Sequence, residues 1–159
     1  MSEKPISAGQ LTREVRVRWF LRSAGASDTT TCPLRPQADS VKMARDITRS
    51  TLRRWGLTAL TEDAALVVSE LVTNAVRYSL YSTRRPDDHP ITLMLARVVP
   101  HVLLAVSDPS DEVPSPKEPD FISENGRGLY IVETYSQAWG WDPLDCGGKA
   151  VWALFRATD

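Results

Sequence analysis

Histidine and cysteine are scarce in this chain of 159 residues, with two of each. Cys32 and Cys146 form no CxxC and have no histidine nearby, so neither a metal site nor a redox pair is indicated. Both read as reduced bystanders. His89 stands in a turn-rich stretch with no second ligand at metal-site spacing. No apolar run approaches the roughly 20 residues that cross a bilayer, and MSEKPISAGQ lacks a signal-peptide core. A cytoplasmic protein with no membrane partner is expected. There is no basic excess either: Lys+Arg 19 stand against Asp+Glu 20, for a net charge of -1. Direct binding to nucleic acid is therefore not expected. No GxxxxGK[ST] loop occurs, so any phosphate must be handled by another design.

What is present is organised around TEDAALVVSELVTNAVRYSLY, residues 61–81. At 100° per residue, Ala64, Ala65, Val67, Val68, Leu71, Val72, Ala75 and Val76 share one apolar sector. Asp63, Glu70, Thr73, Asn74 and Arg77 share the opposite one, interrupted only by Leu66. Thr61 stands where an N-cap belongs, with Glu62 and Asp63 in the first turn, where carboxylates suit the helix dipole. Glu70 and Asn74 lie one turn apart and point the same way. A solvated face is the ordinary use of such residues, and the chemistry downstream argues for more.

The rest supplies a domain around this helix. Residues 1–12 read as a frayed terminus and 13–159 as a single domain with a substantial core. Arg13–Leu21 alternates polar and apolar like a half-buried strand. Its Arg16 and Arg18 would protect an exposed edge or meet a docking partner. Residues 22–36 read as a loop, with Gly25, Pro33 and Pro36 among serines and threonines. Helical spacing of Val41, Ala44, Ile47, Leu52 and Trp55 predicts a helix over 37–55, stopped by Gly56. After a turn-rich 82–90, strands at 91–99 and 101–107 form a hairpin around Pro100. Residues 109–125 carry four prolines and an acidic excess, which suits a lid better than a strand or a long helix. Gly126 then opens another helix, and strands at 138–141 and 149–155 close the chain.

Three places could carry chemistry. Gly126-Arg127-Gly128 at a helix start offers N–H groups and a positive dipole end to an anion, although GxG alone is more often an ordinary loop-to-helix junction. Asp108, ending an apolar strand, can accept from an exocyclic amine such as that of adenine, or simply form an Asp-Pro turn. Asn74 offers an amide oxygen suited to magnesium, and Glu70, one turn away, could orient or deprotonate a hydroxyl.

In this order the motifs resemble the GHKL ATPases (gyrase, heat-shock chaperone, histidine kinase and mismatch-repair types). The similarity is closest to the small anti-sigma-factor serine kinases abundant in actinobacteria. ELVTNAVRYS resembles the N box, VSDPS the first glycine box, NGRGLYIV the second, and GGKAVWALF the closing strand motif. The resemblance covers roughly residues 37–156.

The resemblance implies a Bergerat-type α/β two-layer sandwich, with a mixed, mostly antiparallel sheet carrying helices on one face. It implies ATP and Mg2+ as cofactors. Glu70 would be the catalytic base and Asn74 the metal ligand, while Asp108 would read adenine. Arg77, Gly126, Arg127, Gly128 and Leu129 would hold the nucleotide. The implied partner is a protein, either a sigma factor or an antagonist phosphorylated on Ser or Thr, and a homodimer is compatible with this. Pro109-Ser110 follow Asp108 where fuller forms have glycines, and Ala150 stands where threonine often lies beside adenine. These departures favour a second use of the same site, as a non-catalytic ATP-binding module.

Overall fold

The computed structural model describes residues 28–80, 91–110, 124–144 and 147–157. The terminus at 1–12, the expected strand at 13–21, the connection at 82–90, lid residues 111–123 and Cys146 lie outside them. Five strands form one sheet: β1 (Asp28–Leu34), β2 (Ile91–Val98), β3 (His101–Asp108), β4 (Ala138–Pro143) and β5 (Lys149–Arg156). Their spatial order is β1-β2-β3-β5-β4, and every described pairing is antiparallel. Helices α1 (Asp39–Arg54), α2 (Thr61–Leu80) and α3 (Glu124–Tyr135) pack on one face. This is the expected two-layer α/β sandwich.

Period two sorts the strands. Ile91, Leu93 and Leu95 of β2, Val102, Leu104 and Val106 of β3, and Val151, Ala153 and Phe155 of β5 point into the helix-side core. On the opposite face Ala96, Val98, Leu103, Ala105, Trp152 and Leu154 make a second buried cluster. The central strands are apolar on both faces, so they read as continuous hydrophobic runs. Each fully buried Leu or Val side chain contributes about 1.5–3 kcal/mol, and the stacked rows dominate the stability of the sheet.

α2 is the element the others rest on. Ala64, Val67, Val68, Leu71, Val72 and Ala75 are buried in the helix-side core, while Leu66 is 38% exposed, as its place in the polar sector predicts. α1 lies along α2 with Ser40, Ala44, Thr48, Thr51 and Leu52 buried. Gly56 ends α1 with φ +74°, Gly56 N–H donating to the Arg53 carbonyl and Leu57 N–H to that of Leu52. That is a Schellman cap, which only a left-handed residue closes without strain.

Two expectations are corrected. The loop expected at 22–36 contains β1, because the β-branched run Thr29-Thr30-Thr31 favours an extended chain and pairs in register with Arg97 to Ile91. Pro33 is tolerated because β1 is an edge strand in the described sheet. Thr61 is not an N-cap. A 3₁₀ turn, Thr58–Leu60, runs directly into α2, Thr61 has helical φ/ψ, and its hydroxyl donates to the Thr58 carbonyl at 2.8 Å. The preceding turn makes a separate capping acceptor unnecessary.

Candidate functional site

Asp108 is the last residue of β3 and its cross-strand neighbour is Lys149, the first residue of β5. Both project to the helix side, in register with Val106 and Val151. Their side chains are 2% and 1% exposed, and Lys149 Nζ lies 3.0 Å from Asp108 Oδ1. The same oxygen accepts from the Ser110 backbone N–H at 2.8 Å. Lys149 Nζ also donates to the Ser110 carbonyl at 3.4 Å and sits 4.0 Å above the centre of the Tyr78 ring. Carboxylate, ammonium, main-chain turn and aromatic face form one closed cluster.

Tyr78 connects this cluster to α2. Glu70, Asn74 and Tyr78 are spaced i, i+4, i+8 and so lie in one row on the helix, with Arg77 one residue to the side. All four are half-buried. The row leads from Glu70 to the end of the sheet at Asp108. Two sequence-singled places, the α2 polar face and Asp108, are thus brought together through Lys149 and Tyr78. The hydroxyls in that polar sector are used locally: Ser69 donates to the Ala65 carbonyl and Thr73 to that of Ser69.

The third place is the start of α3. The helix begins at Glu124, two residues before the expected opening, so Gly126 lies in its first turn and Leu129 in the second. First-turn N–H groups have no partner within the helix and favour anions. The Leu129 side chain is 2% exposed and belongs to the core, where it anchors α3. The Arg127 side chain lies outside the described part. α3 packs against α2 and β4.

β5 also revises the expectation for Ala150. It projects to the face opposite Asp108, as alternation requires, so Lys149 is the β5 residue beside the carboxylate. The sequence does not mark Lys149, because a lysine opening a strand ordinarily reads as its solvated end. The signal available was Asp108 itself: an acid ending an apolar strand must be neutralised or paired if the strand end is buried.

Gly148 holds the cluster's backbone. It has φ +82°, and a Cβ there would lie 2.2 Å from the Asp108 carbonyl oxygen and 3.0 Å from Pro109 Cα. Gly148→Ala should combine left-handed strain of about 1–2 kcal/mol with displacement of the β3 end costing about 1–3 kcal/mol. A urea midpoint that falls by less than the strain alone predicts would show that the turn relaxes freely.

Among the described residues no three His, Cys, Asp or Glu side chains are placed to hold a metal by themselves. Magnesium carried mainly by phosphates and water takes only one or two protein groups, so its site requires no such cluster.

Residues 34–154 match the family model described as histidine kinase-like ATPase domain. The fold is similar to the crystal structure of the RsbU and RsbW domains of Rv1364c from Mycobacterium tuberculosis, with a TM-score of 0.62 and 19% identity. That match covers 82% of this chain and 32% of the other, and at such identity it speaks for the fold alone. No curated protein matches the chain. The family match takes in β2 to β5 apart from the last two residues of β5, the three described helices, and the cluster at Asp108. The chain belongs to the histidine kinase-like ATPase domain family.

Proposed function

We propose that this chain is an ATP- and magnesium-binding regulator of a protein partner that passes the γ-phosphoryl group of ATP to a serine or threonine hydroxyl of that partner. The observation that carries this reading is the row Glu70–Asn74–Tyr78 on α2, which ends on the buried Asp108–Lys149 pair. An adenine-reading acceptor at one end and an acid–amide pair at the other match the two ends of a nucleotide triphosphate.

The residues divide the work. Asp108 accepts from the adenine amine. First-turn N–H groups of α3, at Gly126, with Arg127, Gly128 and Arg77, hold phosphate oxygens. The Asn74 amide oxygen holds magnesium, which supplies charge neutralisation at the phosphates when bound. Glu70 accepts the proton of the attacking hydroxyl as its oxygen forms a bond to the γ-phosphorus. The bond from that phosphorus to the β,γ-bridging oxygen breaks, and ADP leaves. Atoms and charge balance with ATP as the only donor.

The partner is a protein carrying that hydroxyl, of sigma-factor or sigma-antagonist type, as the family resemblance implies. One observation favours a second reading, in which ATP is a structural or allosteric ligand and nothing is transferred. The Ser110 N–H closes a turn on Asp108 Oδ1 at 2.8 Å, so Pro109-Ser110 hold fixed the place where fuller forms of the motif carry glycines.

Asn74→Ala tests the metal assignment. Magnesium-dependent ATP binding should weaken by about 1–3 kcal/mol, as expected for losing a ligand to a charged centre. The fold should survive, since Asn74 lies outside the core. Calorimetry showing unchanged affinity in a folded variant would remove Asn74 from the site.

A further inference from the structure

We infer that Lys149 is the positioning residue of the base-reading carboxylate: it fixes Asp108 as an ionised, oriented acceptor for the exocyclic amine of adenine. The inference rests on the reading of Asp108 proposed above and adds a residue that the motif resemblance left without a role.

The geometry is specific. An ammonium has three protons and no acceptor. At Lys149 three partners surround it: Asp108 Oδ1 at 3.0 Å, the Ser110 carbonyl at 3.4 Å and the Tyr78 ring at 4.0 Å. Asp108 Oδ1 receives both that ammonium and the Ser110 N–H. Two donors on one oxygen set the plane of the carboxylate. A carboxylate only 2% exposed is expensive to keep ionised without a cation, and at 1% exposure Lys149 answers for little else. Remove the ammonium and the buried acid is driven to take up a proton, which puts an O–H where an acceptor is needed. Tyr78, one turn beyond Asn74, makes the placement of Lys149 depend on α2 as well as on β5.

The probes are ATP and purine ribonucleoside triphosphate, which lacks only the 6-amino group. The wild type should bind ATP about 10–100-fold more tightly than this analogue, the range of one charge-assisted hydrogen bond. In Lys149→Met the advantage should shrink to about 3-fold or less, while affinity for the analogue stays within about 3-fold of wild type. A variant that keeps the wild-type ratio, or loses both affinities equally, overturns the inference and leaves Lys149 a structural tie. A wild type with no preference for ATP overturns the reading of Asp108 itself, and the inference falls with it.

If Lys149→Met does not fold, the wild-type protein labelled with ¹⁵N-lysine answers the question. The Lys149 ammonium resonance, assigned through its side-chain carbons, should shift on saturation with ATP and hold still with the analogue. An equal response to both, or none to either, overturns the inference.

Discussion

Glu70→Gln should slow phosphoryl transfer to the partner by about 10²–10⁴-fold, the usual contribution of a positioned general base. Glutamine keeps the shape of the side chain on the half-buried face of α2 but cannot accept the hydroxyl proton. ATP affinity should change little, or tighten slightly, because one negative charge near the phosphates is gone. The measurement is a single-turnover transfer assay with labelled ATP, magnesium and candidate partner proteins, run beside nucleotide affinity. Equal transfer rates in wild type and variant would take Glu70 out of the mechanism. A wild type that binds its partner in an ATP-dependent way but transfers nothing would leave the non-catalytic module standing. In that case Glu70→Gln should be silent in both binding and regulation.

Breaking the pair at the end of the sheet should have the largest effect on stability. Asp108→Asn leaves the Lys149 ammonium buried with no carboxylate, and Lys149→Met leaves Asp108 buried with no cation and forces it to take up a proton. Either change should cost about 3–5 kcal/mol in urea unfolding, the usual penalty for stranding one member of a buried ion pair. The double variant Asp108→Asn/Lys149→Met removes both charges. It should lose clearly less than the sum of the two, with a coupling of about 0.5–3 kcal/mol. Single losses well under 1 kcal/mol would mean that water reaches the pair. Asp108→Asn by itself is therefore a poor test of base recognition, because any change in nucleotide preference would be mixed with a stranded lysine. The analogue lacking the 6-amino group avoids that difficulty by altering the ligand and leaving the pair intact.

Much of this architecture is legible in the sequence, for identifiable reasons. α2 stands out because its apolar and polar residues separate at the helical period over some 20 residues, and the buried set observed is the one that spacing names, with Val76 partly buried. The β2–β3 hairpin is legible from two apolar runs around Pro100, and the end of α1 from Gly56. β1 is harder to see. Seven residues with prolines on and just beyond the strand carry a weaker signal than the neighbouring turn residues, and only pairing with β2 makes them extended. Thr61 shows the same limit at a helix end: its side chain suits a cap, but the preceding 3₁₀ turn decides its backbone.

At the site, the residues on α2 are legible because chemistry and periodicity coincide there. Lys149 is not, because its meaning depends on register. One residue's difference in pairing would set Ala150 beside Asp108 and turn the lysine to the other face of the sheet. Local pattern cannot fix that register. The glycines before β5 contribute to it in the folded chain, where Gly148 presses on the Asp108 carbonyl in a conformation closed to other residues.

The account stands most directly on where ATP binds. Backbone amide NMR, with Mg-ATP titrated into the 159-residue chain, reads this without prior choice of residue. Saturable, magnesium-dependent shifts are predicted along Glu70–Tyr78 of α2, at Asp108 and Ser110, in the first turn of α3 and at Gly148-Lys149, with β1 unchanged. Absence of saturable binding, or shifts confined to residues away from α2 and Asp108, would contradict it.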